Sequence, residues 1–207
     1  MEKLDLTKHY KAYYTASTSP TVVHIPAAQY LSIQGKGDPS SAQYAAVLEA
    51  LYTTAYALKF MYKAQQQDFV VAKLEGLWWF DETHFANISM ANAPQQIPRS
   101  EWHYRMLIRL PDFVTPTVVK NTVEKIVSTK QIALVKAIEL YQMEEGKCVQ
   151  ILHVGPFENE PESLKQIQHF VEINKLEKNG LHHEIYLSDF RKTAPEKLRT
   201  ILREPVK

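Results

Sequence analysis

The sequence predicts an α+β fold: two pseudo-symmetric strand–helix–strand–strand modules forming antiparallel sheets, with a ligand groove between them. Three observations predict it. A strand that runs into a glycine-containing turn and then a one-sided helix occurs twice, in "YLSIQGKGDPSSAQY" from Tyr30 and in "CVQILHVGPFENEPESL" from Cys148. In the strand after each helix, "LEGLWWFD" falls against "HEIYLSDF", which sets Glu75 opposite Glu184 and Trp78 opposite Leu187. The chain has 207 residues, enough for two such halves sharing a core. The expected organisation is one domain over residues 1–207, with module one at about 20–112, a connecting helix and strand at about 113–145, and module two at about 146–207.

The elements follow in order. Residues 1–20 are polar with scattered tyrosines, end in "TSP", and read as a leader packed on the surface of the domain. Alternation marks Tyr30 to Gln34 as a strand, closed by the turn Gly35-Lys36-Gly37-Asp38-Pro39. Ser40 or Ser41 can cap the next helix, in which Tyr44, Val47, Leu48, Leu51, Tyr52, Ala55, Leu58 and Tyr62 recur at three- and four-residue steps. Such a stripe lies across a sheet. Residues 69–80 are rich in β-formers and predict a strand. Residues 101–110 alternate, with Trp102, Tyr104, Met106, Ile108 and Leu110 on one face and His103, Arg105 and Arg109 mostly on the other. Between them, residues 87–100 carry two prolines and small polar residues and predict a loop. A helix at 116–130, a strand near 134–141 and a strand ending at Gly155-Pro156 come next. "PESLKQIQHFVEINKLEKNG" predicts a helix with Pro161 in its first turn and Gly180 past its end. The strands "HHEIYLSD" and "EKLRTILREPV" complete the second module.

Composition narrows the function classes. A formal net charge of +1 leaves no basic field to draw in nucleic acid or an anionic membrane. The single cysteine, Cys148, cannot form an internal disulfide, lacks a nucleophile motif, and suits a reducing compartment. The N-terminal residues lack the apolar core of a signal peptide, and the apolar runs are too short to span a bilayer, so a cytoplasmic protein is expected. "GKGDP" is a turn and not a phosphate-binding loop, and His182-His183-Glu184 lacks metal-site spacing on a strand. No metal, no cofactor, no nucleic acid and no membrane are expected; the oligomeric state is open. The aromatic fraction, 11%, fits a core and its rim, but Glu184 at the head of Ile185-Tyr186-Leu187 needs another account.

The stretches "YLSIQGKGDPSSAQY", "LEGLWWF", "YRMLIRLPDFV", "CVQILHVGPFENEPESL" and "HHEIYLSDFRKTAPEKLRTILREPV" together resemble the GyrI-like family, small-molecule-binding domains related to DNA gyrase inhibitory protein. The resemblance spans about residues 20–206. It implies two strand–helix–strand–strand modules with a ligand in the groove between them, and a carboxylate in that groove surrounded by aromatic side chains. Glu184 matches that carboxylate through "HHEIYL". In multidrug-responsive bacterial transcription activators the same fold forms the effector half. A subfamily of stand-alone members hydrolyses the cyclopropane ring of DNA-alkylating cyclopropanoid natural products inside an aromatic cage, and "LEGLWWF" with "HHEIYL" brings this chain closer to that subfamily. About twenty residues precede the first strand, too few for a helix-turn-helix, so DNA binding is not expected.

On an ideal strand Glu184 shares a face with His182, Tyr186 and Ser188, which sets a carboxylate and a phenol side by side. The candidate catalytic pair is therefore Glu184 and Tyr186: the carboxylate draws a proton from water or faces a cation resting on aromatic rings, and the phenol hydrogen-bonds a carbonyl that gains charge. Candidate ligand-binding residues are Trp78, Trp79, Trp102, Tyr104, Tyr62 and Glu75. Trp78 and Trp79 are adjacent and face opposite sides of a strand, so at most one lines the groove unless a bulge intervenes. Core packing is the plain reading of Tyr44, Tyr52 and Tyr62, and Glu75 stands evenly between groove and surface. Two functions fit: a hydrolase of cyclopropanoid compounds, or a non-catalytic module that sequesters planar or cationic aromatic ligands or binds a protein partner.

Overall fold

Ser41 accepts a hydrogen bond from the Tyr44 backbone N–H and starts the longest helix, α2 (Ala42–Ala64). In the computed structural model, which describes residues 3–207, the element order is α1 (Leu6–His9), β1 (Thr21–Ile25), β2 (Ala28–Lys36), α2, β3 (Leu74–Trp79), α3 (Ala93–Gln96), β4 (His103–Arg109), α4 (Pro116–Lys130), β5 (Glu139–Met143), β6 (Gly146–Val154), α5 (Glu160–Ile173), β7 (His182–Tyr186) and β8 (Arg199–Pro205). The strands form one eight-stranded sheet in the order β1-β6-β8-β7-β3-β4-β2-β5, and the described pairings are all antiparallel. The two modules, β2-α2-β3-β4 and β6-α5-β7-β8, meet where β3 pairs with β7. The edge strands are exchanged: β1, which leads into module one, pairs with β6 of module two, and β5, which leads into module two, pairs with β2 of module one.

Helix α2 lies across β2 and β4, with Leu51, Ala55 and Leu58 fully buried against Leu31, Ile33, Met106 and Ile108. Helix α5 lies across β6 and β8, where Leu164 and Ile167 pack on Val149, Ile151 and Leu202. The β3–β7 seam therefore runs between the two helices on the same face of the sheet. Among the described residues, no helix is long and apolar enough to cross a membrane.

Several local expectations change. The leader is not simply laid on the surface: Tyr13 and Tyr14 are 5% and 7% exposed and reach the interior on the face opposite the helices. Residues 21–25, for which no strand was expected, form β1. Residues 69–73 lie outside the ladder; Phe69 bridges Leu4 instead, and β3 starts at Leu74. The expected loop at 87–100 contains the short α3. The expected strand near 134–141 opens as a 3-10 turn, whose three-residue spacing puts Val135 and Ile138 on one buried side, and the strand proper is displaced to 139–143. Helix α5 stops at Ile173, short of Gly180. Lys175 adopts φ 53, and the N–H groups of Lys175 and Leu176 return to the carbonyls of Glu172 and Val171, a Schellman closure that ends the helix with no glycine.

Candidate functional site

The register of the central strands decides which side chains surround Glu184. Across the seam its partner is Gly76, with Trp78 opposite His182 and Leu74 opposite Tyr186. On the other side of β3, Trp78 stands opposite Tyr104 and Gly76 opposite Met106. Residues paired in this way share a face, so Glu184, Tyr186, Trp78 and Tyr104 all project between α2 and α5. Trp102, just before β4, and Tyr44, on the first turn of α2, complete the group.

Hydrogen bonds and ring contacts tie these residues together. Trp78 Nε1 donates to the Tyr186 hydroxyl at 2.9 Å. The Trp78 ring centre lies 5.5 Å from Tyr104, 6.1 Å from Tyr44 and 6.3 Å from Trp102, and Tyr44 meets Tyr104 edge-on at 5.1 Å. A second run of rings leads outward from Tyr186: Phe157 is 6.0 Å from it, Phe190 a further 6.3 Å, and these two are 39% and 40% exposed. Ring contacts thus lead from solvent to Tyr186, which shares its strand face with the Glu184 carboxylate, itself 14% exposed. Glycine is required beneath the indole, since a Cβ on Gly76 would lie 2.8 Å from Trp78 Nε1. Gly76→Ala is expected to push the indole off Tyr186, lowering stability by about 1–3 kcal/mol and changing the near-UV circular dichroism of the tryptophans; an unaltered spectrum and urea midpoint would contradict this packing.

Electrostatics are set by three neighbours. His182 is buried, which by itself opposes its protonation. Two carboxylates outweigh that: Glu204 faces Nδ1 at 2.6 Å and Glu184 faces Nε2 at 3.2 Å, and the imidazole is pushed up to about 10. His182 is therefore an imidazolium that holds Glu184 in place. Burial, and then the charge of Glu184, raise the Tyr186 phenol well above its ordinary value, so it remains an O–H. Its oxygen accepts from Trp78, and its own proton is turned toward Glu184. The His182 ring is thus flanked by two carboxyl groups at the foot of the aromatic group.

Of the eight residues singled out in the sequence, Glu184, Tyr186, Trp78, Trp102 and Tyr104 come together here, and three do not. Trp79 projects from the opposite face, stacked on His103 at 5.6 Å, as adjacent strand residues must. Tyr62 lies five turns along α2 from Tyr44, about 27 Å at the usual helical rise, with its hydroxyl donating to the Phe113 carbonyl at 3.2 Å. Glu75 is fully buried on the other face, where it accepts hydrogen bonds from Tyr13 at 2.5 Å and Tyr14 at 3.2 Å and meets His183 Nε2 at 3.0 Å. Sequence reasoning placed Tyr44 in the core and passed over Glu160, which is buried at the start of α5 near Glu184. Helical periodicity marks Tyr44 as inward-facing but says nothing about which strand it meets. A cavity of about 370 Å³ elsewhere, between Thr7, Thr15, Lys73, Ser188 and Arg199, does not include Glu184.

Comparison with known proteins agrees with this architecture. The model of the GyrI-like small molecule binding domain matches residues 18–207. Two solved structures from Listeria innocua, an uncharacterized conserved protein and a hydrolase, are each 34% identical to this chain. In both the match covers 99% of this chain and 100% of the other, with TM-scores of 0.88 and 0.83. The EcmrR C-terminal domain shares the fold at 11% identity, with a TM-score of 0.59 over 91% of this chain and 97% of that one. No curated protein matches. Strand order, helix placement and a match over nearly the whole length lead to one conclusion: the chain belongs to the GyrI-like small molecule binding domain family.

Proposed function

We propose that the protein binds planar aromatic or cationic small molecules between α2 and α5, and that it hydrolyses cyclopropanoid DNA-alkylating compounds there. The observation that carries the reading is the array of Glu184, Tyr186 and Trp78 on one face, under the rings of Tyr44, Trp102 and Tyr104. The cage holds the flat ligand and limits bulk water. Glu184, fixed by His182, takes a proton from one water as its oxygen bonds to the exposed ring carbon. The strained carbon–carbon bond breaks and its electron pair moves through the conjugated system onto the carbonyl oxygen. Tyr186 donates a hydrogen bond to that oxygen, which ends with the proton passed on from Glu184. The 34%-identical hydrolase from Listeria innocua supports a hydrolytic member of the family with this fold.

The test incubates the protein with a cyclopropanoid alkylating compound and follows product mass against time. The expected result is catalytic appearance of the ring-opened, water-added product, slowed by about 10²–10⁴-fold in Glu184→Gln, with binding of the compound nearly unchanged. A stoichiometric complex from which the compound is recovered intact would leave sequestration as the function. Turnover unaffected in Glu184→Gln would remove Glu184 from the chemistry.

A further inference from the structure

Glu160, the first residue of α5, is 8% exposed, and its Oε1 is buried with no hydrogen-bond partner. A carboxyl so placed calls for an explanation, because an unpaired buried carboxylate is costly and most buried carboxyls are ion-paired. Among the described residues no lysine, arginine or histidine lies within ion-pairing distance of it. The groups acting on it come from two strands. From β7 they are Glu184, His182 and Tyr186; from β8, Thr200, which stands opposite Tyr186 and whose hydroxyl, by hydrogen-bonding the carboxyl, works to lower it; His153 of β6, beyond Thr200, has its Nδ1 taken by Ser163 of α5 at 3.0 Å. The imidazolium of His182 also works to lower it, but both of its nitrogens are spent on Glu184 and Glu204. The N-terminus of α5 favours an anion. Against that modest effect stand full burial and a second carboxylate beside it, and burial first, then the Glu184 charge, raise the Glu160 carboxyl well above its ordinary value.

We propose that Glu160 is the hydrogen-bond donor of the groove: a neutral carboxylic acid beside the Glu184 carboxylate, which selects ligands carrying a carbonyl or similar acceptor. The inference rests on the reading of this groove as the ligand site, and it adds a chemical class to it. Two carboxyls in different environments take opposite parts, one accepting and one donating. A flat ligand with a ring carbonyl satisfies the orphaned acid while its π-face lies against Trp78 and Tyr44. A purely cationic ring system gains from Glu184 and gains nothing from Glu160.

Infrared spectroscopy tests the protonation without any ligand. At neutral pH the wild-type protein is expected to show a carboxylic-acid carbonyl band that is absent in Glu160→Gln and that titrates away at lower pH in Glu184→Gln, where the neighbouring charge has gone. Lack of that band, or its persistence in Glu160→Gln, overturns the proposal. Binding then tests selection, with acridone as the carbonyl-bearing probe and ethidium as the cation. Glu160→Gln keeps a neutral donor and is expected to bind acridone within about twofold of wild type. Glu160→Leu removes the donor and is expected to lose about tenfold for acridone, with ethidium unchanged. Equal losses for both probes, or none, overturn the donor role. If wild type binds neither probe, the reading of the groove as a ligand site fails, while the infrared band still decides the state of Glu160.

Discussion

Glu145→Ala is expected to cost about 3–5 kcal/mol of folding stability, the cost typical of stranding one member of a buried ion pair. Arg203 is fully buried in the face of the sheet away from the helices. Its guanidinium donates to Glu145 at 3.0 Å, to Gln150 at 3.0 and 3.1 Å and to the Tyr13 carbonyl at 3.0 Å, and lies 4.5 Å from the Tyr13 ring centre. Glu145 also meets His183 Nδ1 at 2.9 Å, and His183 in turn meets Glu75. Without Glu145, the Arg203 charge is left to a neutral amide and a carbonyl. Urea unfolding measures the loss, and Glu145→Gln separates charge from shape. By contrast, removing the exposed Lys178–Glu82 pair should leave the midpoint where it was. A Glu145→Ala midpoint equally unmoved would show that the buried network contributes nothing.

Stability is expected to peak near pH 4.5 and to fall on both sides: the Glu160 carboxyl, raised by burial and then by the Glu184 charge, gives up its contribution as pH rises above about 4.5, and the imidazoles add to that decline above about pH 6.5. The folded-state value of His182 lies above its unfolded value, so its contribution is complete below pH 6.5 and is lost as pH rises towards about 10. At roughly 1.4 kcal/mol per unit this is on the order of 3–5 kcal/mol. His183, raised by Glu145 and Glu75 against the opposing effect of its burial, acts in the same direction. The acid limb belongs to Glu145. Burial works to raise its carboxyl, but His183 and Arg203 prevail and hold it down at about 2, so its contribution is complete above pH 4.5 and lost as pH falls towards 2. Unfolding free energies measured across the range should show the alkaline decline starting before any tyrosine ionises, and His182→Gln should shrink that limb above about pH 6.5 while leaving the acid one. A wild-type profile level from pH 6.5 to 9 would contradict the ion pairs drawn around His182.

Much of the fold was legible because its elements obey short-range rules. Alternation over 101–110 fixed both β4 and the face that carries Tyr104 and Met106, and the Ser41 cap with the stripe from Tyr44 to Tyr62 fixed α2. Strict alternation also required Trp78 and Trp79 to part company, but only the pairing with β4 and β7 shows that Trp78 is the one on the side of Glu184. What could not be read is tertiary. Tyr13 and Tyr14 occupy a polar, irregular stretch with no periodicity, and they are buried because Glu75, Arg109 and Arg203 need partners there. Glu75 aligns with Glu184 in the internal repeat, yet it points to the other face, since in the β3–β7 ladder Gly76, and not Glu75, stands opposite Glu184. The repeat locates equivalent strands; the one-residue offset decides which carboxylate meets the rings.

The exchange of edge strands has a consequence for how the chain is made. Thr21 must find Gln150 and Ala28 must find Met143, so both borders of the sheet stay open until residues 139–154 exist. A nascent chain leaving the ribosome at roughly 5–20 residues per second therefore holds β1 and β2 with unsatisfied edges for several seconds. Contacts this distant in sequence slow folding through the entropy of closing the intervening loop. Neither half completes its own sheet, so cutting the chain between the modules should yield two fragments that are each aggregation-prone, and that regain native signal only when mixed.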